Sequence, residues 1–180
     1  MFDVDTLIAD CVAANREANP IVAMKEVLDR TLANAGDIAD ALPADHAKFA
    51  LLHSSPDLSI LQFVWAPSMS IPPHDHLMWA VNGIYTGEED NVFFRRALDG
   101  LVESGGKRVS ERESAMLGRD VIHAVTNPRT HACTGSIHVY GGDYLRQQRS
   151  IWDPETHEES PADGDTIRRI FEEANAASEQ

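Results

Sequence analysis

The hydrophobic positions near the start of the chain recur with helical spacing. The residues that share one face are Val4, Leu7, Ile8, Cys11 and Val12. This pattern predicts a helix over residues 2 to about 18. Asn19-Pro20 interrupts the pattern, and Pro20 suits the first turn of a second helix. The second helix is expected to end near Gly36, and a short helical or irregular stretch should follow over residues 38–47.

From Phe49 onwards the pattern changes to short apolar runs that are separated by turn residues. The runs cover residues 58–65, 77–85, 91–96 and 101–103. Turns are expected at Asp99-Gly100, Ser104-Gly106, Gly118-Asp120, Asn127-Pro128 and Gly141-Gly142. Strands of this length and regular spacing predict a sandwich or barrel, because alternating βαβ units would need helical patterns between them.

The chain closes with an amphipathic helical pattern over residues 165–177. The Asp163-Gly-Asp-Thr166 stretch before it offers an N-cap. Neither a repeat nor a linker divides the sequence, so we predict a single domain over residues 1–180. It consists of a helical N-terminal extension (1–47), a β-barrel (48–160) and a C-terminal helix (161–180).

Composition and charge narrow the classes of partner. The apolar fraction of 43% and the charged fraction of 24% are those of an ordinary globular protein. The 29 acidic residues against 15 basic ones give a net charge of -14, which opposes binding to nucleic acids and anionic membranes. Cys11 and Cys133 form neither a disulfide framework nor a zinc motif. Because the N-terminus is acidic rather than basic and apolar, the sequence predicts a cytoplasmic protein.

The candidate chemistry begins with a pair of histidines, His74 and His76, in Pro72-Pro-His-Asp-His76. Alternate residues of a strand point to the same side, so the two imidazoles can chelate one metal ion. A third histidine, His123, lies in the pattern Gly118-x4-His123-x3-Asn127. This order of the two motifs resembles that of the cupin superfamily.

The resemblance implies a mainly β fold, the double-stranded β-helix or jelly-roll barrel, with both motifs aimed at one metal. It places the metal on His74, His76 and His123. Most cupins also have a glutamate ligand four or five residues beyond the second histidine, where this chain has Ala80 and Val81. The nearest downstream acids (Glu88, Glu89 and Asp90) lie past a glycine turn. A face of three histidines leaves positions open for a substrate and dioxygen on iron(II).

A third motif is Ser136-Ile-His138-Val-Tyr140. Its three polar side chains share one strand face and could form a hydrogen-bond relay, although such a face could also lie in solvent. Together the three motifs, over residues 49–157, resemble the thiol dioxygenases of the cysteine and 3-mercaptopropionate type. The resemblance implies Fe(II) on the three histidines, with Ser136, His138 and Tyr140 as the outer relay. Three imidazoles would also accept zinc or nickel in the isolated protein.

The resemblance implies that a small thiol is oxidised by dioxygen to its sulfinic acid. Arg149 corresponds to the family's clamp for the substrate carboxylate, although it could instead be a surface charge paired with Asp153 or Glu155. An upstream clamp is missing from Lys48-Phe-Ala50. Arg95 and Arg96 could replace it, since one of two adjacent strand residues should face inward.

Two other functions fit the same metal ligands. A three-histidine cupin could cleave a small carbonyl compound such as a β-diketone with dioxygen, or it could bind metal without turnover as a sensor or scaffold. The expected partners are a small thiol and dioxygen. The two N-terminal helices could cover the barrel or pair across a homodimer.

Overall fold

A computed structural model describes residues 1–98 and 100–178. The helices within these ranges are α1 (Val4–Ala14), α2 (Pro20–Leu32), α3 (Ala35–Ala41) and α4 (Gly164–Ser178). The strands within them are β1 (Lys48–Ser54), β2 (Ser59–Trp65), β3 (Ser70–Asp75), β4 (Ala80–Thr86), β5 (Glu88–Ala97), β6 (Gly100–Ser110), β7 (Ser114–Leu117), β8 (Ile122–Thr126), β9 (Thr134–Tyr140), β10 (Ser150–Trp152) and β11 (Glu159–Pro161). None of the helices in the described part is both long and apolar enough to span a membrane.

The strands form two antiparallel sheets. One has the order β1-β2-β9-β4-β7 and the other the order β11-β10-β3-β8-β5-β6. Neighbours in each sheet are mostly distant in sequence, as in β9, which lies between β2 and β4. This order is that of a jelly-roll barrel, and the predicted fold class, a mainly β double-stranded β-helix with flanking helices, is confirmed.

The centre of the five-stranded sheet is buried on both faces, and every residue of β2 and β9 is buried. The N-terminal helices cover its outer face, where Leu28 and Leu32 of α2 pack in one apolar cluster with Ile137 and Val139 of β9. The inner face belongs to a second cluster, which includes Phe63, Tyr140 and the α4 residue Phe171. Strand β9 therefore presents its apolar side chains to the helices and its polar ones to the barrel interior.

Two local predictions from the sequence are wrong, and a third falls partly outside the described residues. Gly36 does not end the second helix, because α2 ends at Leu32 and Gly36 lies within α3. Ser104-Gly106 is not a turn, because β6 continues through it opposite β5 with a register shift between Phe93 and Phe94. Of the expected Asp99-Gly100 turn, Asp99 lies outside the described residues.

The beginning of α4 agrees with the capping prediction. The Asp163 carboxylate accepts a hydrogen bond from the Thr166 backbone N–H at 2.7 Å. This satisfies one of the unpaired donors of the first helical turn. The helix then packs its apolar face, with Ile167 and Phe171, against the inner cluster of the barrel.

Candidate metal centre

Two neighbouring strands bring the three predicted histidine ligands together. His74 near the end of β3 lies directly opposite His123 on β8, and His76 follows β3. All three are buried, and their ligand nitrogens lie within 4.8 Å of one another. The Nε2 atoms of His76 and His123 are 3.0 Å apart. The structure thus forms a compact cluster of three imidazoles inside the barrel.

In two of the three rings, a hydrogen bond at Nδ1 determines which nitrogen has a lone pair available for a metal ion. His74 Nδ1 is 2.9 Å from the Pro72 carbonyl oxygen, which only accepts, so this nitrogen carries the hydrogen. His123 Nδ1 donates in the same way to Asn91 Oδ1 at 2.7 Å. In each neutral ring the Nε2 lone pair is therefore left to bind a cation, as in metal sites whose ligands are oriented by outer hydrogen bonds. His76 Nδ1 is buried and unpartnered.

The electrostatics of the cluster favour the ligand form of the rings. Burial lowers the pKa of His74 to about 4, and it lowers the pKa values of His76 and His123 well below 6.5. At neutral pH all three are uncharged, and a metal ion needs the neutral imidazole. Among the described residues the cluster contains no carboxylate. This donor set fits a divalent transition metal such as iron or zinc.

The second group of predicted residues forms a hydrogen-bonded chain beside the histidine cluster. His138 Nε2 is 3.0 Å from Ser136 Oγ, and His138 Nδ1 is 3.1 Å from the Tyr140 hydroxyl. All three side chains are buried in the barrel interior rather than in solvent. The Tyr140 ring lies 5.0 Å from the His76 ring, centre to centre. Burial raises the pKa of Tyr140, which keeps the phenol protonated.

A buried acid, Glu89, is the residue that sequence reasoning missed. It lies on β5, past the Gly87 turn, and is fully buried. Its carboxylate accepts hydrogen bonds from Trp65 Nε1 and Asn91 Nδ2, each at 3.0 Å. Burial alone would raise the pKa of Glu89, but the hydrogen bond from His138 and the other donors outweigh it and lower the pKa. The signal was present in the alternation of Glu89 and Asn91 on one face of a strand.

The three predicted arginines have different environments. Arg149 is half-buried, stacks at 3.8 Å on the Tyr144 ring, and has a buried Nε without a hydrogen-bond partner. Asp153, its suggested surface partner, instead accepts hydrogen bonds from the backbone of residues 155 and 156. The guanidinium of Arg149 is close enough to the cluster for its charge to contribute, after burial, to the pKa values of His74 and Tyr140.

Arg95 and Arg96 are both exposed, which corrects the expectation that one of them faces inward. Arg96 forms a double hydrogen bond with Glu159 and packs over the Trp152 ring. The physical reason is that β5 pairs with β8 only as far as Phe94. Beyond that residue β5 pairs only with β6, and the guanidinium of Arg96 is held at the surface by Glu159.

A small cavity of about 20 Å³ adjoins the three histidines. This is room for about one water molecule. Besides these histidines, the polar part of its wall consists of His138, Tyr140 and Tyr144. The rest is apolar: Phe63, Trp65, Ile71, Val125, Ile167 and Phe171. Tyr144 and Ile167 also line an open cleft of about 810 Å³, which contains Arg149. These two side chains therefore separate the cavity from solvent.

No family model matches the chain. An RmlC-like cupin family protein from Methanocaldococcus jannaschii is 13% identical with a TM-score of 0.45, over 56% of this chain and 85% of that one. A protein from Bacillus halodurans is 15% identical with a TM-score of 0.49, over 59% and 78%. The Cnp3 cupin domain of Schizosaccharomyces pombe is 13% identical with a TM-score of 0.47, over 58% and 68%. With its jelly-roll topology, this chain combines a β-barrel with a buried three-histidine cluster.

Proposed function

We propose that this protein is a mononuclear non-haem iron dioxygenase that oxidises a small thiol, of the 3-mercaptopropionate or cysteine type, to its sulfinic acid. The observation that carries the proposal is the pairing of three neutral imidazoles, without a carboxylate among them, with a buried Ser136–His138–Tyr140 chain. Ferrous iron on His74, His76 and His123 would supply open coordination positions and mediate the transfer of electrons from the thiol sulfur, which is oxidised, to dioxygen, which is reduced.

The protein's own groups would orient the substrate. The unpartnered Nε of Arg149 can donate to a substrate carboxylate, and a guanidinium matches a carboxylate geometrically. Stacking on the Tyr144 ring fixes the plane of the Arg149 guanidinium group. Tyr140 lies beside His76 and can hydrogen-bond the reacting atoms. The apolar wall of the cavity excludes water, which strengthens these electrostatic contacts.

Purification without oxygen, metal analysis and oxygen uptake with a panel of thiols test the proposal. We expect bound iron and uptake with 3-mercaptopropionate or cysteine, and equimolar sulfinate. His123→Gln should lose both metal and uptake, whereas the matched variant His131→Gln should keep both because His131 is exposed and remote from the cluster. A protein that retains its iron but consumes no oxygen with any thiol would disprove the thiol dioxygenase and favour a non-catalytic metal-binding protein.

The apolar lining favours one second candidate, a dioxygenase that cleaves a small carbonyl compound such as a β-diketone. Six of the cavity residues carry only hydrocarbon or indole surface, which suits an uncharged substrate. The same oxygen-uptake measurement separates the two functions. Uptake with acetylacetone and none with thiols would support the carbonyl substrate.

A further inference from the structure

Three hydrogen-bond donors converge on the carboxylate of Glu89. Trp65 Nε1 and His138 Nε2 lie 3.0 and 3.4 Å from Oε2, and Asn91 Nδ2 lies 3.0 Å from Oε1. In the described part of the chain, no lysine or arginine forms an ion pair with Glu89. A fully buried carboxylate without a lysine or arginine partner is costly to keep unless it has a specific role.

The first arm of this network runs from Glu89 to a metal ligand. An ionised carboxylate only accepts hydrogen bonds, so the Asn91 amide must turn its NH2 group towards Glu89. The carbonyl oxygen of the same amide then faces His123 Nδ1 at 2.7 Å. That oxygen also only accepts, so Nδ1 of His123 must carry the hydrogen. Through one amide, Glu89 leaves the Nε2 lone pair of His123 free to bind metal.

The second arm runs from Glu89 to Tyr140. His138 Nε2 faces two oxygens, Glu89 Oε2 and Ser136 Oγ, and the Ser136 hydroxyl is placed to donate to the Phe63 carbonyl at 3.4 Å. With acceptors on this side, Nε2 carries the hydrogen, and in the uncharged form of the ring Nδ1 then carries the lone pair. The Tyr140 hydroxyl, 3.1 Å away, must therefore donate to His138.

We propose that Glu89 is a positioning residue that sets the direction of hydrogen bonding in both arms, towards His123 and towards Tyr140. Tyr140 then turns its oxygen lone pairs to the cavity and receives a hydrogen from the ligand there. The ligand class is one with an acidic S–H or O–H group, a thiol or an enol. As its proton passes to the Tyr140 oxygen, the Tyr140 proton moves to His138 Nδ1, and the resulting imidazolium faces the Glu89 carboxylate.

The tautomer of His138 tests the proposal without any turnover. In the zinc-loaded protein with ¹⁵N-labelled histidine, assigned by comparison with His138→Gln, we expect a protonated Nε2 and an unprotonated Nδ1. The opposite tautomer in the unmodified protein would overturn the proposal. This measurement rests on the metal site alone, so it remains decisive if the proposed thiol oxidation fails.

The variant Glu89→Gln tests the role of the carboxylate, because an amide offers one acceptor and one donor where three donors converge. We expect a mixed or reversed His138 tautomer, a zinc affinity lower by about 10–100-fold, and a similar fall in kcat with little change in KM. Asp90→Asn is the matched control, since Asp90 lies on the same strand but pairs with Arg108 at the surface. It should resemble the unmodified protein in every measurement.

Equal zinc affinity and an unchanged His138 tautomer in Glu89→Gln and Asp90→Asn would overturn the proposal. If Glu89→Gln does not fold, the spectrum of the unmodified protein still decides the direction of the second arm. The unmodified protein could show the expected tautomer but no thiol oxidation, while Glu89→Gln binds zinc more weakly. This combination would reject the proposed function and support the role of Glu89.

Discussion

The Arg149 guanidinium combines a fixed plane with an unpartnered donor, and a lysine would lose both. Arg149→Lys should raise KM for 3-mercaptopropionate by about 10–100-fold, which corresponds to roughly 1.5–3 kcal/mol for a charge-assisted hydrogen bond. The guanidinium is oriented by stacking on the Tyr144 ring, so a lysine with the same charge would not bind the substrate carboxylate equally well. Steady-state oxygen uptake measures the change.

Arg96→Lys is the control for this prediction, because Arg96 is exposed and paired with Glu159. It should leave KM unchanged. A rise in KM equal to that of Arg149→Lys would instead indicate that Arg96 binds the substrate carboxylate. An uncharged thiol such as 2-mercaptoethanol should be insensitive to both changes, since it has no carboxylate to bind.

The sequence identified residues whose position depends on strand alternation alone. His74 and His76, and likewise Ser136, His138 and Tyr140, share a face because they are two residues apart. Glu89 was missed because its partners Trp65 and His138 lie on β2 and β9, and only the folded barrel brings them to β5. The alternation of Glu89 and Asn91 places both on one strand face, but the burial of that face depends on tertiary pairing with other strands.

At the level of elements, α4 closes the barrel over the metal centre. Ile167 and Phe171 form part of the cavity wall, and about 20 Å³ does not hold a thiol together with dioxygen. Asn175 fastens the helix, because its side chain both accepts from the Ala47 N–H at 2.8 Å and donates to the Ala47 carbonyl at 2.9 Å. Enlarging the cavity therefore requires side chains of its wall to move, among them Ile167 of α4 and Tyr144, which also line the open cleft.

Asn175→Ala should loosen α4 and lower the free energy of unfolding by about 1–3 kcal/mol, because the Ala47 backbone groups lose their partner. Amide hydrogen exchange within residues 164–178 should become faster than in the unmodified protein. Glu172→Ala on the same helix is the control, since Glu172 is exposed. Exchange in α4 that is equally fast in both variants would contradict the role of Asn175.

Boundaries of elements were harder to predict than their existence. Glycine normally favours a helix end, but at Gly36 it lies in the short helix α3 that packs against the barrel, so tertiary contact outweighs the local preference. Gly105 has a φ of 145° and lies beside the register shift in the β5–β6 hairpin. The glycines there accommodate a bulge within a strand, which a sequence pattern cannot distinguish from a turn.

For the whole molecule, burial of three neutral histidines makes stability depend on pH. His74 has a pKa of about 4 when folded and 6.5 as a free side chain. Between these values the unfolded chain binds more protons, so the metal-free protein should lose stability as the pH falls below 6.5. Each such histidine contributes about 1.4 kcal/mol per pH unit in this range.

Thermal unfolding of the metal-free protein between pH 7 and pH 5 measures this loss. His74→Gln should show a shallower dependence, and His131→Gln, which removes an exposed histidine, should match the unmodified protein. Zinc at about 100 times its dissociation constant should add roughly 2.7 kcal/mol at pH 7. A stability that does not change with pH in this range would contradict the neutral, buried state of the cluster.

The placement of β9 between β2 and β4 has a consequence for biosynthesis. The apolar face of α2 packs on the sheet that β9 completes, and about 100 residues must still be translated after α2 before that strand exists. At roughly 5–20 residues per second this takes several seconds, during which α2 has α1 as a neighbour but lacks the completed sheet. Long-range pairing of this kind also slows folding, so we expect the growing chain to keep part of its apolar surface exposed until its ninth strand is complete.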